Sequence, residues 1–270
     1  MANKLRIPWS KEHVKVAFSL YCKLPFGKLH KSNYNIIQLA NLLGRTPSAV
    51  TMKLVNIASL DPAITSTGRS GLKNASAMDK EVWEEFSNNW DALALESLKL
   101  YEQLAEAKGL GSSHNELNDD LEDYTGETRD VLVQQRVKQN FFRKSVLSSY
   151  KRKCCMSGLS EERLLIASHI VPWSEDKLNR LNPRNGLCLS AIHDKAFDRG
   201  FITLDDDFRV ILSESFKAST NQLILQAFTS IEGKPITLPE RFEPDINFLE
   251  KHRNLVFLDN KASETIGASL

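Results

Sequence analysis

The sequence predicts an α+β protein: an all-α N-terminal domain followed by a C-terminal domain of short strands and flanking helices. Apolar residues recur at helical spacing through the first part of the chain, and β-favouring runs begin only at Cys154. A stretch rich in glycine, serine and acidic residues separates the two regions. We therefore place a helical domain at residues 1–108, an acidic linker at 109–128 and the second domain at 129–270.

The composition is that of an ordinary globular protein, with 41% hydrophobic and 26% charged residues in 270. Each half is long enough to bury its own core, which excludes fibrous and disordered classes. The sequence has no apolar run of membrane-spanning length and no secretory signal, so we expect no membrane partner. Its four cysteines form no CxxC pair and are typical of reduced thiols in a cytoplasmic protein: Cys22, Cys154, Cys155 and Cys188.

Helix-capping residues define the elements of the first domain. Ser10 is a predicted N-cap, Gly44 ends a helix, and Thr46 followed by Pro47 begins the next one. The predicted helices cover residues 10–22, 36–43, 47–57, 79–88 and 91–108.

Residues 36–50 have the pattern of a helix-turn-helix. Ala40 is small where the two helices would cross, Gly44 supplies a positive φ in the turn, and Val50 returns to the core. The turn and the exposed face of the second helix are expected to carry hydroxyls and cations that contact DNA phosphates and base edges: Arg45, Ser48, Thr51 and Lys53. Two core helices joined by a glycine turn remain the alternative.

Charge is distributed unevenly along the chain. Residues 1–60 hold nine Lys/Arg against Glu12 alone, whereas residues 79–130 hold fifteen Asp/Glu against four Lys/Arg. A predicted basic helix from 129 to 150 follows, in which Arg143 and Lys144 are expected to contact phosphates. Two basic blocks around an acidic one favour double-stranded DNA as the partner, although solvated faces without a partner give the same pattern.

In the second domain, three polar residues stand at the ends of predicted elements. His169 ends a strand, Asn185 precedes the next strand, and His193 opens a short helix, so a hairpin followed by a helix brings them into one cleft. Hydrolysis of a phosphodiester with one metal needs a general base, a cation and a group that holds the base. The predicted strands and helices cover residues 164–169, 186–189, 191–197, 201–204, 208–212, 221–231 and 245–255.

This region resembles the HNH nuclease family, whose ββα-metal motif is named for a His, an Asn and a His in this order. The resemblance rests on the segments Cys155–Gly158, Ala167–Trp173 and His193–Gly200, which are similar to the restriction-endonuclease branch. It implies that His169 is the general base, that His193 binds the divalent metal, and that Asn185 orients the base or pins the loop.

Two positions depart from the family pattern. Ser168 stands where many members place an Asp or His ligand, and Phe197 stands one helical turn after His193. The nearest carboxylate, Asp198, lies about 140° round the helix from His193. It therefore reaches the metal only if the helix ends there, as Gly200 allows.

The resemblance also implies the cofactor. We expect Mg²⁺, with Mn²⁺ or another transition metal as the alternative, bound by His193 and Asp198. Several relatives carry a structural zinc on two CxxC pairs. Here Cys154 and Cys155 are adjacent and Cys188 is alone, so no structural zinc is expected.

Together these features predict a metal-dependent DNA endonuclease of the restriction or defence type. A homodimer is expected, because a two-strand cut by single-site motifs usually requires two copies. Two alternatives stay open: a DNA-binding regulator with an inactive HNH fold, motivated by Ser168 and Phe197, and an HNH nickase or homing-type enzyme.

Overall fold

The computed structural model describes residues 8–66, 74–109 and 127–260. The chain divides into two compact units, Met1–Ser145 and Val146–Leu270. The predicted α+β class is confirmed, with helices throughout and strands in the C-terminal half. The predicted linker at 109–128 lies almost entirely outside the described residues. No helix within the described ranges is long and apolar enough to cross a membrane.

The first unit is helical throughout its described part. Its helices are α1 (Lys11–Lys23), α2 (Tyr34–Leu43), α3 (Pro47–Ala58), α4 (Pro62–Thr65), α5 (Ala77–Phe86) and α6 (Trp90–Glu106). A seventh helix, α7 (Glu127–Ser149), runs across the division between the units, so most of the predicted basic helix belongs to the first unit. Helix α1 lies at the centre and packs against α2, α3, α5 and α6. Its Phe18 and Tyr21 are fully buried and contact the ring of Trp83.

Local capping explains why α2 and α3 form and how they are joined. The Thr46 side chain accepts a hydrogen bond from the Ala49 amide, and Pro47 is the first residue of α3. Gly44 ends α2 with a φ of +66°, as predicted, and the Arg45 amide donates to the Ala40 carbonyl. Two helices joined by a glycine turn are therefore present at residues 34–58, and the helix-turn-helix stays a prediction.

The first sheet of the second unit consists of two antiparallel strands. Strand β1 (Leu165–His169) pairs with β2 (Gly186–Ser190), so that His169 lies opposite Gly186 and Leu165 opposite Ser190. Helix α8 (Ala191–Asp198) follows β2 directly and packs on both strands. The chain continues through β3 (Ile202–Leu204), β4 (Val210–Leu212), α9 (Glu214–Lys217), α10 (Gln222–Phe228) and α11 (Ile246–Leu255). Strands β3 and β4 form the predicted hairpin.

The end of α8 is fixed by backbone packing. Gly200 has a φ of +73°, and a Cβ at this position would lie 2.0 Å from the Val256 carbonyl oxygen. Only glycine allows this approach without displacement of the backbone. Phe197 is fully buried and stacks on His252 with ring centroids 3.7 Å apart, so it is a core residue of the unit.

Candidate active site

His169 lies at the end of β1 and is held by a backbone carbonyl. Its Nε2 is 2.8 Å from the carbonyl oxygen of Arg180. Because a carbonyl can only accept, Nε2 carries the hydrogen and Nδ1 carries the lone pair. Burial lowers the pKa of His169, which favours the neutral ring at physiological pH. A neutral imidazole with a fixed tautomer is suited to accept a proton from water.

The Asn185 side chain connects two backbone segments of this site by hydrogen bonds. It is 1% exposed, and its Oδ1 accepts a 2.8 Å hydrogen bond from the Val171 amide. Its Nδ2 donates to the carbonyls of Val171 and Asn179. Asn185 therefore fixes both the turn that follows β1 and the loop that carries the Arg180 carbonyl.

Two carboxylates of α8 form a pair beside β1. Asp194 and Asp198 are four residues apart and therefore lie on one face of the helix. Burial raises the pKa of each carboxyl, and repulsion from Asp194 raises the pKa of Asp198 further. The buried Ser168 hydroxyl opposes the rise at Asp194 and makes no well-aligned hydrogen bond of its own. Asp194 thus lies beside Ser168, the residue that immediately precedes His169, and Asp198 is exposed one helical turn further along.

His193 is buried, and both of its ring nitrogens contact polar groups of the same unit. It is 3% exposed, and its Nε2 is 3.3 Å from the Ala227 carbonyl. Its Nδ1 is 2.9 Å from Ser190 Oγ and 3.4 Å from Cys154 Sγ. Both ring nitrogens therefore have partners within the unit. The role of His193 as a metal ligand stays a prediction.

The thiol beside His193 is electrostatically unusual. Burial alone would raise the pKa of Cys154, but hydrogen bonds from His193 and Ser157 lower it to about 6. Cys155 and Cys188 are also buried and lie outside any disulfide, and burial raises the pKa of Cys155. The Cys154–His193 contact therefore orients His193 from a segment 39 residues earlier in the chain.

The protein side chains supply a partial set of metal donors. Within residues 8–66, 74–109 and 127–260, no group of three or more His, Cys, Asp or Glu side chains is arranged to hold a metal ion. Asp194 and Asp198 provide two carboxylates, which are the hard oxygen donors that Mg²⁺ and Mn²⁺ prefer. Mg²⁺ is commonly bound by one or two carboxylates together with waters and substrate phosphate oxygens. The donor set therefore fits the expected class of metal.

Residues 154–205 match the family model of HNH endonucleases. An HNH domain therefore lies in the C-terminal half of the chain, as the resemblance implied. The matched stretch contains β1, β2, α8 and β3, and so every site residue described above. The family points to nuclease activity on nucleic acid. No curated protein matches the chain.

The DNA contacts predicted in the first unit are only partly available. Ser48 is exposed and Thr51 is half-buried on α3. The Arg45 guanidinium donates to the Pro8 carbonyl at 2.7 Å and stacks on the Trp9 ring at 4.0 Å. These contacts hold Arg45 against its own unit.

Lys53 requires a correction. It was predicted on the exposed face of the second helix, but it is 6% exposed, and its Nζ lies 2.6 Å from the Oδ1 of Asp79. Asp79 is itself 1% exposed and also caps the start of α5. A buried ion pair between α3 and α5 is a contact within the unit, so Lys53 is not placed to meet a phosphate.

This ion pair gives a stability prediction. Asp79→Asn should lower the free energy of unfolding by about 3–5 kcal/mol, because it leaves the Lys53 ammonium buried without its counter-charge. Lys53→Met should cost a similar amount, because it leaves the Asp79 carboxylate buried without its counter-charge. Urea denaturation of both variants measures the two costs. If Lys53→Met left stability unchanged but made DNA binding much weaker, Lys53 would be a DNA-contacting residue, as first predicted.

The cations predicted in the basic helix lie within the first unit. Arg143 is half-buried and Lys144 is exposed on α7. Lys144 stands at a cleft between α1, α2, α6 and α7, which is a different location from the HNH domain.

Proposed function

We propose that the protein is a metal-dependent endonuclease that hydrolyses the phosphodiester bonds of double-stranded DNA in restriction or defence. The observation that carries this proposal is the juxtaposition at the end of β1. A histidine of fixed tautomer, His169, directly follows Ser168, whose hydroxyl lies beside Asp194, and Asp198 stands one helical turn after Asp194. The resemblance to restriction endonucleases supports the biological role.

His169 is the proposed general base. Its Nδ1 takes a proton from the attacking water while Nε2 keeps its hydrogen bond to the Arg180 carbonyl. The hydroxide oxygen then bonds to phosphorus as the bond to the leaving oxygen breaks. Asn185 does not touch the reacting atoms in this scheme. It positions the base through the Val171 and Asn179 backbone groups.

The carboxylate pair is the proposed metal site, in place of the predicted pairing of His193 with Asp198. Asp194 and Asp198 would hold the divalent cation, with the Ser168 hydroxyl beside them. When bound, the cation supplies positive charge for the scissile phosphate as negative charge develops on it. The serine at position 168 then does not deprive the site of a ligand. Where many relatives carry a ligand at this position, this chain would use a carboxylate of α8.

An inactive regulator is less well supported. Phe197 motivated that alternative, but its side chain belongs to the core contact with His252 and is not a failed ligand position. A nickase uses the same residues and differs only in product.

Cleavage of supercoiled plasmid by the full chain tests the proposal. With Mg²⁺ or Mn²⁺ we expect linear DNA, formed without lasting accumulation of the nicked circle if two copies act together as a homodimer. EDTA should leave the plasmid intact, since no cation then balances the charge on the phosphate. Nicked circles alone would indicate a nickase. Intact plasmid under every condition, with a retained gel shift, would contradict the nuclease function and favour the regulator.

A further inference from the structure

The first unit contains a cleft that the HNH chemistry does not use. It lies between α1, α2, α6 and α7 and encloses about 510 Å³. Pockets for small molecules commonly measure about 300–1,000 Å³, so a ligand of mononucleotide size fits. All the described residues that line it belong to the first unit.

The charge of the cleft is positive and uncompensated within the described residues. Lys23 of α1 and Lys144 of α7 both line it, and no carboxylate is among its described lining residues. Neither lysine forms an ion pair with a described Asp or Glu, and Lys23 Nζ lies over the Phe141 ring, 5.5 Å from its centroid. Burial and the neighbouring Lys144 lower the pKa of Lys23 to about 8. An anion between the two ammonium groups would relieve this repulsion.

A buried hydroxyl in the same cleft also lacks a partner. Ser19 is 3% exposed, and its Oγ makes no hydrogen bond in the structure although it lines the cavity. Buried polar atoms are nearly always satisfied, so an orphaned hydroxyl at a cavity wall indicates a missing ligand or water. The N-terminus of α2, which begins at Tyr34, adds the positive end of a helix dipole.

The remaining polar wall has the chemistry of base recognition. Amide side chains, which both donate and accept, match the edges of nucleobases, and tyrosine rings offer faces for stacking. The amide side chains are those of Gln38 and Asn140, and the rings are those of Tyr34 and Tyr101. Tyr34 is 71% exposed, which places a large ring where an entering base would meet it.

We propose that this cleft binds a nucleoside 5′-phosphate, with the phosphate on Lys23 and Lys144 and the base among the amide and tyrosine side chains. The ligand is either a free mononucleotide or one nucleotide unit extruded from DNA. The second source rests on the proposed function, because it makes the cleft a reader of the DNA that the HNH domain cuts. The first source does not.

Calorimetry on the full chain in EDTA tests the site without cleavage. The titrants are the four 2′-deoxynucleoside 5′-monophosphates, the unphosphorylated nucleosides and inorganic phosphate. We expect saturable binding of at least one monophosphate, tighter than either of its parts. Lys144→Gln and Lys23→Met should each weaken it by about tenfold or more, the effect of losing a charge-assisted contact. The matched control is Lys28→Gln, an exposed lysine outside the cleft, which should leave binding unchanged.

Thermal melting separates a binding defect from a folding defect. Lys23→Met should melt above the wild type, because it removes a desolvated charge that no described carboxylate balances. Lys144 is exposed, so Lys144→Gln should melt with the wild type. Equal binding of phosphate and monophosphate, equal losses in Lys28→Gln, or a lower melting temperature for Lys23→Met would each overturn the proposal.

Duplexes then distinguish the two sources. A duplex with one unpaired, extrahelical nucleotide is compared with its fully paired counterpart by fluorescence anisotropy in EDTA. A preference for the first that Lys144→Gln abolishes identifies a nucleotide of DNA as the ligand, and monophosphate binding without that preference identifies the free nucleotide. Binding of neither overturns the proposal even if the plasmid is cut. Binding by a protein that cuts no plasmid refutes the nuclease function alone.

Discussion

Replacement of His169 by alanine is expected to slow DNA cleavage by about 10²–10⁴-fold, the usual contribution of a positioned general base. DNA affinity should persist, because the Asn185 bonds that shape the loop do not involve the imidazole. The hydrogen bond to the Arg180 carbonyl is lost, which costs about 1 kcal/mol of stability, together with the edge contact to the Trp173 ring. Single-turnover cleavage of a defined duplex, with affinity measured separately, checks both expectations.

The pH profile of the wild type gives the same prediction a second readout. The base must be neutral, and burial lowers the pKa of His169 below the usual 6.5. The cleavage rate should therefore rise with pH through that lowered pKa and then level off. His30→Ala is the matched control, since His30 is an exposed histidine whose ring forms a hydrogen bond with the nearby Ser32. If His169→Ala cut DNA at the wild-type rate, the base would have to lie elsewhere.

Local signals explain why much of the fold could be predicted from the sequence. Ser10, Gly44 and Thr46 act on their immediate neighbours, so the ends of α1, α2 and α3 lie within a few residues of the predicted ones. The strands ending at His169 and beginning after Asn185 are likewise short apolar runs bounded by polar residues. Such features depend on sequence separations of a few residues.

Long-range partners explain what could not be predicted. Lys53 looks like an exposed cation on α3 until Asp79, 26 residues later, is found against it. The contacts of the His193 ring with Cys154 and with the Ala227 carbonyl, both distant in sequence, could likewise not be predicted from the local pattern. Asp194 was not predicted, because the family motif points to the adjacent histidine. The i, i+4 spacing of Asp194 and Asp198 was a local signal that could have identified the pair.

Neutralising either carboxylate of the pair is expected to lower the cleavage rate and to raise the stability of the metal-free protein. Asp194→Asn and Asp198→Asn should each reduce cleavage by about 10²–10³-fold, because each would weaken binding of the cation that would stabilise the charge developing on the phosphate. Each should also raise the melting temperature of the metal-free protein. The pKa of both carboxyls is raised in the folded state, so their ionised forms destabilise the fold at neutral pH, and stability returns as pH falls through the raised pKa.

Metal-induced stabilisation decides whether the pair or His193 holds the cation. Mg²⁺ or Mn²⁺ should raise the melting temperature of the wild type in proportion to ln(1 + [L]/Kd), and this rise should disappear in Asp194→Asn and Asp198→Asn. Asp207→Asn, an exposed acid at the β3–β4 turn, should retain the full response. His193→Gln should lower the metal-free melting temperature, because its buried partners Cys154 and Ser190 lose their histidine, and it should keep the metal response. The reverse result, in which His193→Gln loses the response and both asparagine variants keep it, would return the metal to His193. In the absence of metal, replacing a carboxylate ligand should raise the melting temperature, whereas replacing a core residue should lower it. The four variants together therefore identify the face of α8 that binds the metal.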